Sequence, residues 1–478
     1  MAKQRSLHVS MKNFDWNFLG FGLCRAWITQ WFLLPIALSD TWHIYTEMLY
    51  FLPGAIVCLA LALFMKNKAS KKARTLTFLL SAVFSLVGVI LIILSVVESG
   101  VTIFAVGLLV CGIGAALLQT LWGDKFAYLP TSQATLYTVC AFFLSALMSL
   151  FARGAETMPA ALFLFCLVPF GSFVLLYRGL RAGQWSGLGA EKQSDDVPEQ
   201  HTLVNLGRFC VSIFVFVFVF NFAFRGLLSG SSLEVVGQPI RNYANVIVMA
   251  VLLVLVLTTG RFNRMGLYRI SFPILIGALL LSLFIPYEYV SIASIIAAVG
   301  YKLFDVLFWC VLVGIAHNNR SNIWGVFGLG MFANLGGMGL GMAAGWAFSL
   351  FSVWQEFDRA LMVCILMFAL VIVVILILPE SLVAQFISHG SKKGTTSLGD
   401  SLADRCLIIA QQCGLTTRER EVLGLLAQGR TQVVIAKKLG ISEGTAHTHI
   451  VHVYQKTNVH SQQELIDIVE RVDAENLM

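Results

Sequence analysis

Residues 415–459 read LTTREREVLGLLAQGRTQVVIAKKLGISEGTAHTHIVHVYQKTNV. Thr416-Thr-Arg-Glu419 is a capping-box pattern: a hydroxyl, then a carboxylate three residues later. It predicts a helix running to about Gln428, which Gly429 ends. Thr431 is placed to cap a second helix through Leu439, ended by Gly440. Ser442 is placed to cap a third over 443–457, and Ser461 a fourth over 462–472. A leading helix is expected between Leu402 and Cys413. Two short helices joined by the glycine turn Leu439-Gly440-Ile441-Ser442 make a helix-turn-helix unit. On the third helix, Ala446, Ile450, Val453 and Thr457 recur at helical spacing and form an inward face. His447, Thr448, Val451, His452 and Gln455 fall on the outward face.

Upstream, the character of the chain is different. Over all 478 residues, 58% are hydrophobic and 12% charged, with a mean hydropathy of +0.80. Soluble domains carry about 25% charged residues. A chain this long and apolar cannot hide its side chains in a water-soluble core, so a polytopic membrane protein is expected. Twelve apolar segments approach the roughly 20 residues a bilayer crossing needs. They are 18–38, 46–65, 76–97, 101–121, 135–151, 160–177, 204–224, 243–259, 270–286, 290–315, 323–351 and 361–378. Residues 1–17 are polar and basic, and no small-residue cleavage site follows the first run, so a retained first span is expected.

The Lys and Arg count orients the spans. With the N-terminus inside, the inside segments carry sixteen of these residues and the outside loops four: Arg153, Arg225, Arg241 and Arg359. Twelve spans also return residues 400–478 to the inside, where DNA is. The expected division is a first half over 1–185, a connecting loop over 186–203 and a second half over 204–378. A Ser-, Gly- and Lys-rich linker over 379–399 then leads to a soluble domain over 400–478. The expected class is all-α: a polytopic bundle of six plus six spans with a four-helix C-terminal domain.

Two halves joined by a polar loop resemble the major facilitator superfamily. A second likeness lies in Thr259-Gly-Arg-Phe-Asn263-Arg264-Met-Gly266-Leu-Tyr-Arg269. The family's loop motif is G-x-x-x-D-R-x-G-x-x-R. Arg264, Gly266 and Arg269 match it, whereas Thr259 and Asn263 replace its Gly and Asp. That Asp anchors the family's cytoplasmic gate, and its loss leans against transport.

The C-terminal stretch carries a denser likeness. Leu415 to Leu423, Gly429, Ile435-Ala436, Leu439-Gly440, Ser442, Thr445, His449 and Lys456 follow the order and spacing of the LuxR-type DNA-binding domain. Ala446 stands where Val is usual, and Thr457 where Leu is usual. The resemblance implies base contact by His447, Thr448 and Val451 on the outward face, with His452 beside them. It implies phosphate contact by Thr445, His449 and Lys456 on the third helix and by Lys437 and Lys438 on the second, with Ser442 at the turn. The partner implied is promoter DNA, read by a homodimer through the C-terminal domain. The fourth helix, with Leu465, Ile468, Val469 and Val472, either forms that dimer surface or seals the core. Residues 400–478 hold eight Lys/Arg against ten Asp/Glu, a formal charge of −2, so weak non-specific affinity is expected.

Charged groups inside spans are costly and become functional candidates. Arg25, Lys302 and Asp305, with Gln30, Asn221 and Asn334, are the candidate ligand-binding residues for a small aromatic or apolar molecule. Lys302 and Asp305, three apart, also satisfy the plainer reading of a self-neutralising pair. Eight glycines crowd the eleventh span, which predicts close static packing or, alternatively, a sliding surface. The ten cysteines lack metal or disulfide spacing and read as small buried hydrophobes. His447, His449, His452 and His460 read as ordinary polar contacts, with no Cys or acid at ligand spacing. No catalytic set, phosphate loop, cofactor motif or metal site is present in the pattern.

LuxR-type regulators with polytopic membrane domains resemble this chain in architecture throughout. That likeness implies residence in a bacterial inner membrane, among membrane lipid, and ligand-controlled transcription. The rival readings are a transporter with a regulatory tail and a tail that binds protein.

Overall fold

The computed structural model describes residues 14–30, 40–64, 70–98, 100–153, 158–181, 199–227, 234–259, 264–286, 289–319, 322–350, 356–377, 406, 409, 410 and 412–471. Two separate units result, Met1–Gly390 and Ser391–Met478.

The first unit is a bundle of helices. These are α1 Gly20–Gln30, α2 Asp40–Phe64, α3 Lys71–Glu98, α4 Val101–Phe126, α5 Thr131–Arg153 and α6 Met158–Arg181. There follow α7 Glu199–Asn221, α8 Glu234–Thr259, α9 Arg264–Phe284, α10 Val290–Asn318, α11 Ile323–Leu350 and α12 Glu356–Ile372. Each expected span falls on one of them. Among the described residues, eight helices are long and apolar enough to cross a membrane. Shorter apolar stretches are Met48–Phe64, Phe163–Gly179 and Ala360–Ile375. Turns of π-helix, Phe222–Leu227 and Val373–Ile377, extend α7 and α12.

In hydrocarbon there is no hydrophobic force between helices, so small residues and polar contacts hold them. α11 lies between α2 and α7 on its glycines. A Cβ on Gly328 would sit 2.6 Å from the Cys58 carbonyl oxygen of α2, and one on Gly341 2.6 Å from the Phe218 carbonyl oxygen of α7. No side chain fits either place, and close packing on both faces is what the glycine-rich span forms. Hydroxyls add cross-links: Trp122 Nε1 donates to Ser172 Oγ at 3.0 Å, which donates to the Gly20 carbonyl at 2.8 Å. That chain ties α4, α6 and α1.

The second unit contains α13 Thr417–Ala427, α14 Gln432–Leu439, α15 Glu443–Thr457 and α16 Gln462–Arg471. The expected leading helix is described only at 406, 409, 410 and 412, all helical. The core gathers Ile409, Val422, Leu423, Leu426, Ile435, Ala446, Ile450, Val453, Leu465 and Val469. The linker over 379–399 and residues 186–198 of the connecting loop lie outside the described residues. So do Asn263 and the side chain of Arg264 from the loop motif.

Candidate nucleic-acid interface and buried charge cluster

The caps set the second unit's geometry. Thr416 Oγ1 accepts from the Glu419 N–H at 3.3 Å, and Glu419 Oε2 accepts from the Thr416 N–H at 2.8 Å, which completes the capping box. Gly440 takes φ +65°, the left-handed conformation that the turn between α14 and α15 requires. Ser442 Oγ accepts from the Thr445 N–H at 3.1 Å and caps α15. Thr431 occupies the cap position of α14 with no side-chain bond to the helix.

α15 divides as its periodicity predicts. Ala446, Ile450, Val453 and Thr457 are buried. Thr457, in place of an apolar residue, donates to the Val453 carbonyl at 2.7 Å, so its hydroxyl is satisfied within the core. Thr445, His447, Thr448, His452 and Lys456 are exposed, whereas His449 and Val451 are half-buried. Lys437 and Lys438 are exposed on α14. His447 Nδ1 lies 3.3 Å from Gln432 Oε1, and Gln432 Nε2 donates to the Glu443 carbonyl at 3.1 Å. Gln432 thereby fixes α14 against the start of α15, a contact the sequence reading missed.

Lys456 is engaged internally. Its Nζ lies 2.7 Å from Glu419 Oε2, and His452 Nδ1 lies 3.8 Å from Glu419 Oε1. Lys456 and the Thr416 N–H hold the Glu419 carboxyl down to about 2 from an ordinary 4.5. On α16, Leu465 and Val469 are fully buried and Ile468 packs against the same core. Those residues seal the unit; Val472 lies outside the described residues.

Residues 414–469 match the family described as bacterial regulatory proteins, luxR family. This segment is a LuxR-type DNA-binding domain. It is 43% identical over 58 residues to the uncharacterized response regulatory protein YgeK of Escherichia coli K12, covering 12% of this chain and 40% of that protein. It is 42% identical over 50 residues to the nitrate/nitrite response regulator NarL of the same strain, covering 10% and 23%. The monoamine regulon transcriptional regulator of Klebsiella aerogenes is 38% identical over 52 residues, covering 11% and 23%. The chain therefore spans less than half the length of these curated relatives, and the likeness is confined to the LuxR-type segment.

The first unit has the major facilitator fold. It matches a bacterial homologue of the iron transporter ferroportin in an outward-facing state at TM-score 0.54 and 14% identity, over 78% of this chain and 97% of that one. The proton:xylose symporter XylE matches at TM-score 0.50 and 16% identity, over 80% and 99%.

Inside this unit the candidate charges converge. Arg25 of α1 hydrogen-bonds Asp305 Oδ2 of α10, and Lys302 Nζ lies 3.9 Å from the same oxygen. The expectation paired Lys302 with Asp305; the direct partner is Arg25, 280 residues earlier. Both cations lie over the Phe142 ring, at 4.6 and 5.7 Å. One turn away along each helix, Phe21 and Trp309 stack at 4.2 Å. Asn221 is not part of the cluster; its Nδ2 donates to the Val217 carbonyl at 2.8 Å. Asn334 is buried in α11, and the side chain of Gln30 lies outside the described residues. A second ion pair escaped the sequence reading. Arg74 Nε donates to Asp124 Oδ2 at 2.6 Å, and Arg74 Nη2 to Asp124 Oδ1 at 3.2 Å and to Tyr128 Oη at 2.7 Å. It joins the start of α3 to the end of α4.

Proposed function

We propose that this chain is a membrane-embedded one-component transcriptional regulator, in which the major-facilitator unit senses a small molecule and the LuxR-type domain binds promoter DNA. The observation that carries the reading is the exposed face of α15 on the same chain as a bundle in which, among the described residues, eight helices are long and apolar enough to cross a membrane. Exposed His447 and Thr448, with half-buried Val451 at the margin, suit base edges, and Thr445, Lys437 and Lys438 suit phosphates. His452 and His449 flank this face, and Ser442 holds its N-terminal end.

With few cations on that face, one domain binds DNA weakly. Two domains on a two-fold site supply the missing affinity through effective concentration. A ligand that favours one arrangement of the membrane bundle shifts how the tethered domains pair, and so their apparent affinity for the site. The Lys and Arg distribution supports both termini on the cytoplasmic side of a bacterial inner membrane. The eroded loop motif, with Asn263 for the acid, supports a sensor over a transporter.

The test uses residues 400–478, a unit with its own hydrophobic core. Footprinting on the promoters flanking its gene should reveal a protected two-fold site. No sequence preference by this fragment, nor by a forced dimer of it, moves the reading to transport or to a protein partner.

A further inference from the structure

Among the described residues, the charges buried between α1 and α10 do not balance. Arg25 and Lys302 bring two positive charges, and Asp305 brings one negative. Both cations address the same oxygen, Asp305 Oδ2. At 3.9 Å, Lys302 Nζ is beyond hydrogen-bond reach of it. Among the described residues the ammonium therefore has no acceptor. The Lys302 side chain keeps 18% exposure against 2% for Asp305. Asp305 Oδ1 has no hydrogen-bond partner either. The Phe142 ring beside Lys302 stabilises a cation without neutralising it.

A surplus charge inside a low-dielectric bundle is unfavourable, and one negative group beside Lys302 would cancel it. We infer that the membrane unit binds a small organic anion, with its carboxylate on Lys302 Nζ and its apolar or aromatic body against Phe142. The inference deepens the sensor reading proposed above, and rests on it for its biological meaning. Arg25 hydrogen-bonds Asp305 and serves to fix the acid; Lys302 is the residue that takes the ligand. A neutral or cationic molecule gains nothing from this arrangement.

The experiment uses the full chain in detergent, with benzoate as the probe. Benzamide and benzylamine serve as the neutral and cationic equivalents, and chloride holds ionic strength constant. Thermal unfolding is followed by tryptophan fluorescence. Benzoate should raise the midpoint of the native protein saturably, and the other two should not. Lys302→Gln should weaken the benzoate response more than tenfold. Without added carboxylate, Lys302→Gln should be at least as stable as the native protein, because the surplus charge is gone. Benzamide matching benzoate, or no response to benzoate, overturns the carboxylate assignment. A Lys302→Gln protein less stable than the native one overturns the surplus charge itself. None of these readouts involves DNA. Failed footprinting by 400–478 would therefore sink the regulator reading and leave this result standing.

Discussion

Lys456 of α15 and Glu419 of α13 form an ion pair of 2.7 Å that joins the third helix of the DNA-binding domain to the first. Family resemblance assigns Lys456 to phosphate, yet its charge is already answered within the fold. A phosphate contact and a structural bridge leave different traces. Each phosphate contact contributes about one unit to the slope of log affinity against log salt. Lys456→Met should therefore lower the unfolding midpoint of the 400–478 fragment and leave the salt slope unchanged. Lys437→Gln with Lys438→Gln should do the reverse, reducing the slope by roughly two. Filter binding across a salt series, set beside urea unfolding, separates the two.

The same pair makes the domain acid-sensitive. Glu419 titrates near 2 in the folded domain against an ordinary 4.5. A depressed folded value means that the contribution is fully present above the unfolded pKa and lost as pH falls through the folded one. Stability from this group should thus decline between pH 4.5 and about 2. Glu419→Gln should flatten that part of the curve. Circular dichroism melts of both proteins across this range provide the check, and an unchanged slope in Glu419→Gln would count against the assignment.

His447 and Thr448 stand on the exposed face of α15, and neither contributes to the core. Replacing either with Ala should leave the unfolding midpoint nearly unchanged. Each should cost about 1–3 kcal/mol in discrimination between the operator and altered sites. Competition binding with single base-pair variants measures this. Uniform weakening on all sequences would instead mark them as phosphate contacts.

The DNA-binding domain was legible because its signals are local. Caps at Thr416 and Ser442, the turn at Gly440 and the four-residue rhythm from Ala446 to Thr457 need no distant partner. The membrane spans were legible for the same reason, as length and apolarity decide them. What escaped was long-range pairing. Arg25 and Asp305 are 280 residues apart, and the sequence offered Asp305 a nearer cation at helical spacing in Lys302. Arg74 and Asp124, 50 apart, lie at the same end of the α3–α4 hairpin, but nothing in the sequence shows that their side chains pair. The internal role of Lys456 was hidden likewise, since Glu419 seemed fully used by its capping box. The fourth helix shows the complementary limit. Its apolar stripe fits a core and a dimer equally well, and the structure shows Leu465 and Val469 buried in the core.

Gly341 tests the close approach of α11 to α7. A side chain there meets the Phe218 carbonyl, a backbone atom that no rotamer change can move aside. Gly341→Ala should destabilise the bundle by about 1–3 kcal/mol, the usual cost of overpacking. Gly207, with nothing within 4 Å of its Cβ position, is the matched control and should tolerate Ala. Thermal unfolding of the two variants in the same detergent distinguishes a packing constraint from a general intolerance of substitution.

Asp305 holds the membrane charge cluster together, and its removal should be worse than removal of either cation. Asp305→Asn leaves Arg25 and Lys302 facing each other with no acid between them. Breaking a buried pair from one side typically costs about 3–5 kcal/mol, because the remaining charge stays buried without compensation. Arg25→Met alone leaves Asp305 with Lys302, which can close the 3.9 Å gap and restore a neutral pair. It should therefore be milder than Asp305→Asn. Combining Arg25→Met with Asp305→Asn leaves only Lys302 charged, and should recover part of the stability lost in Asp305→Asn. The order expected is native, then Arg25→Met, then the double variant, with Asp305→Asn lowest. Unfolding midpoints of the four proteins give a double-mutant cycle. Additive losses would mean that Arg25 and Asp305 do not depend on each other, contrary to the hydrogen bond between them.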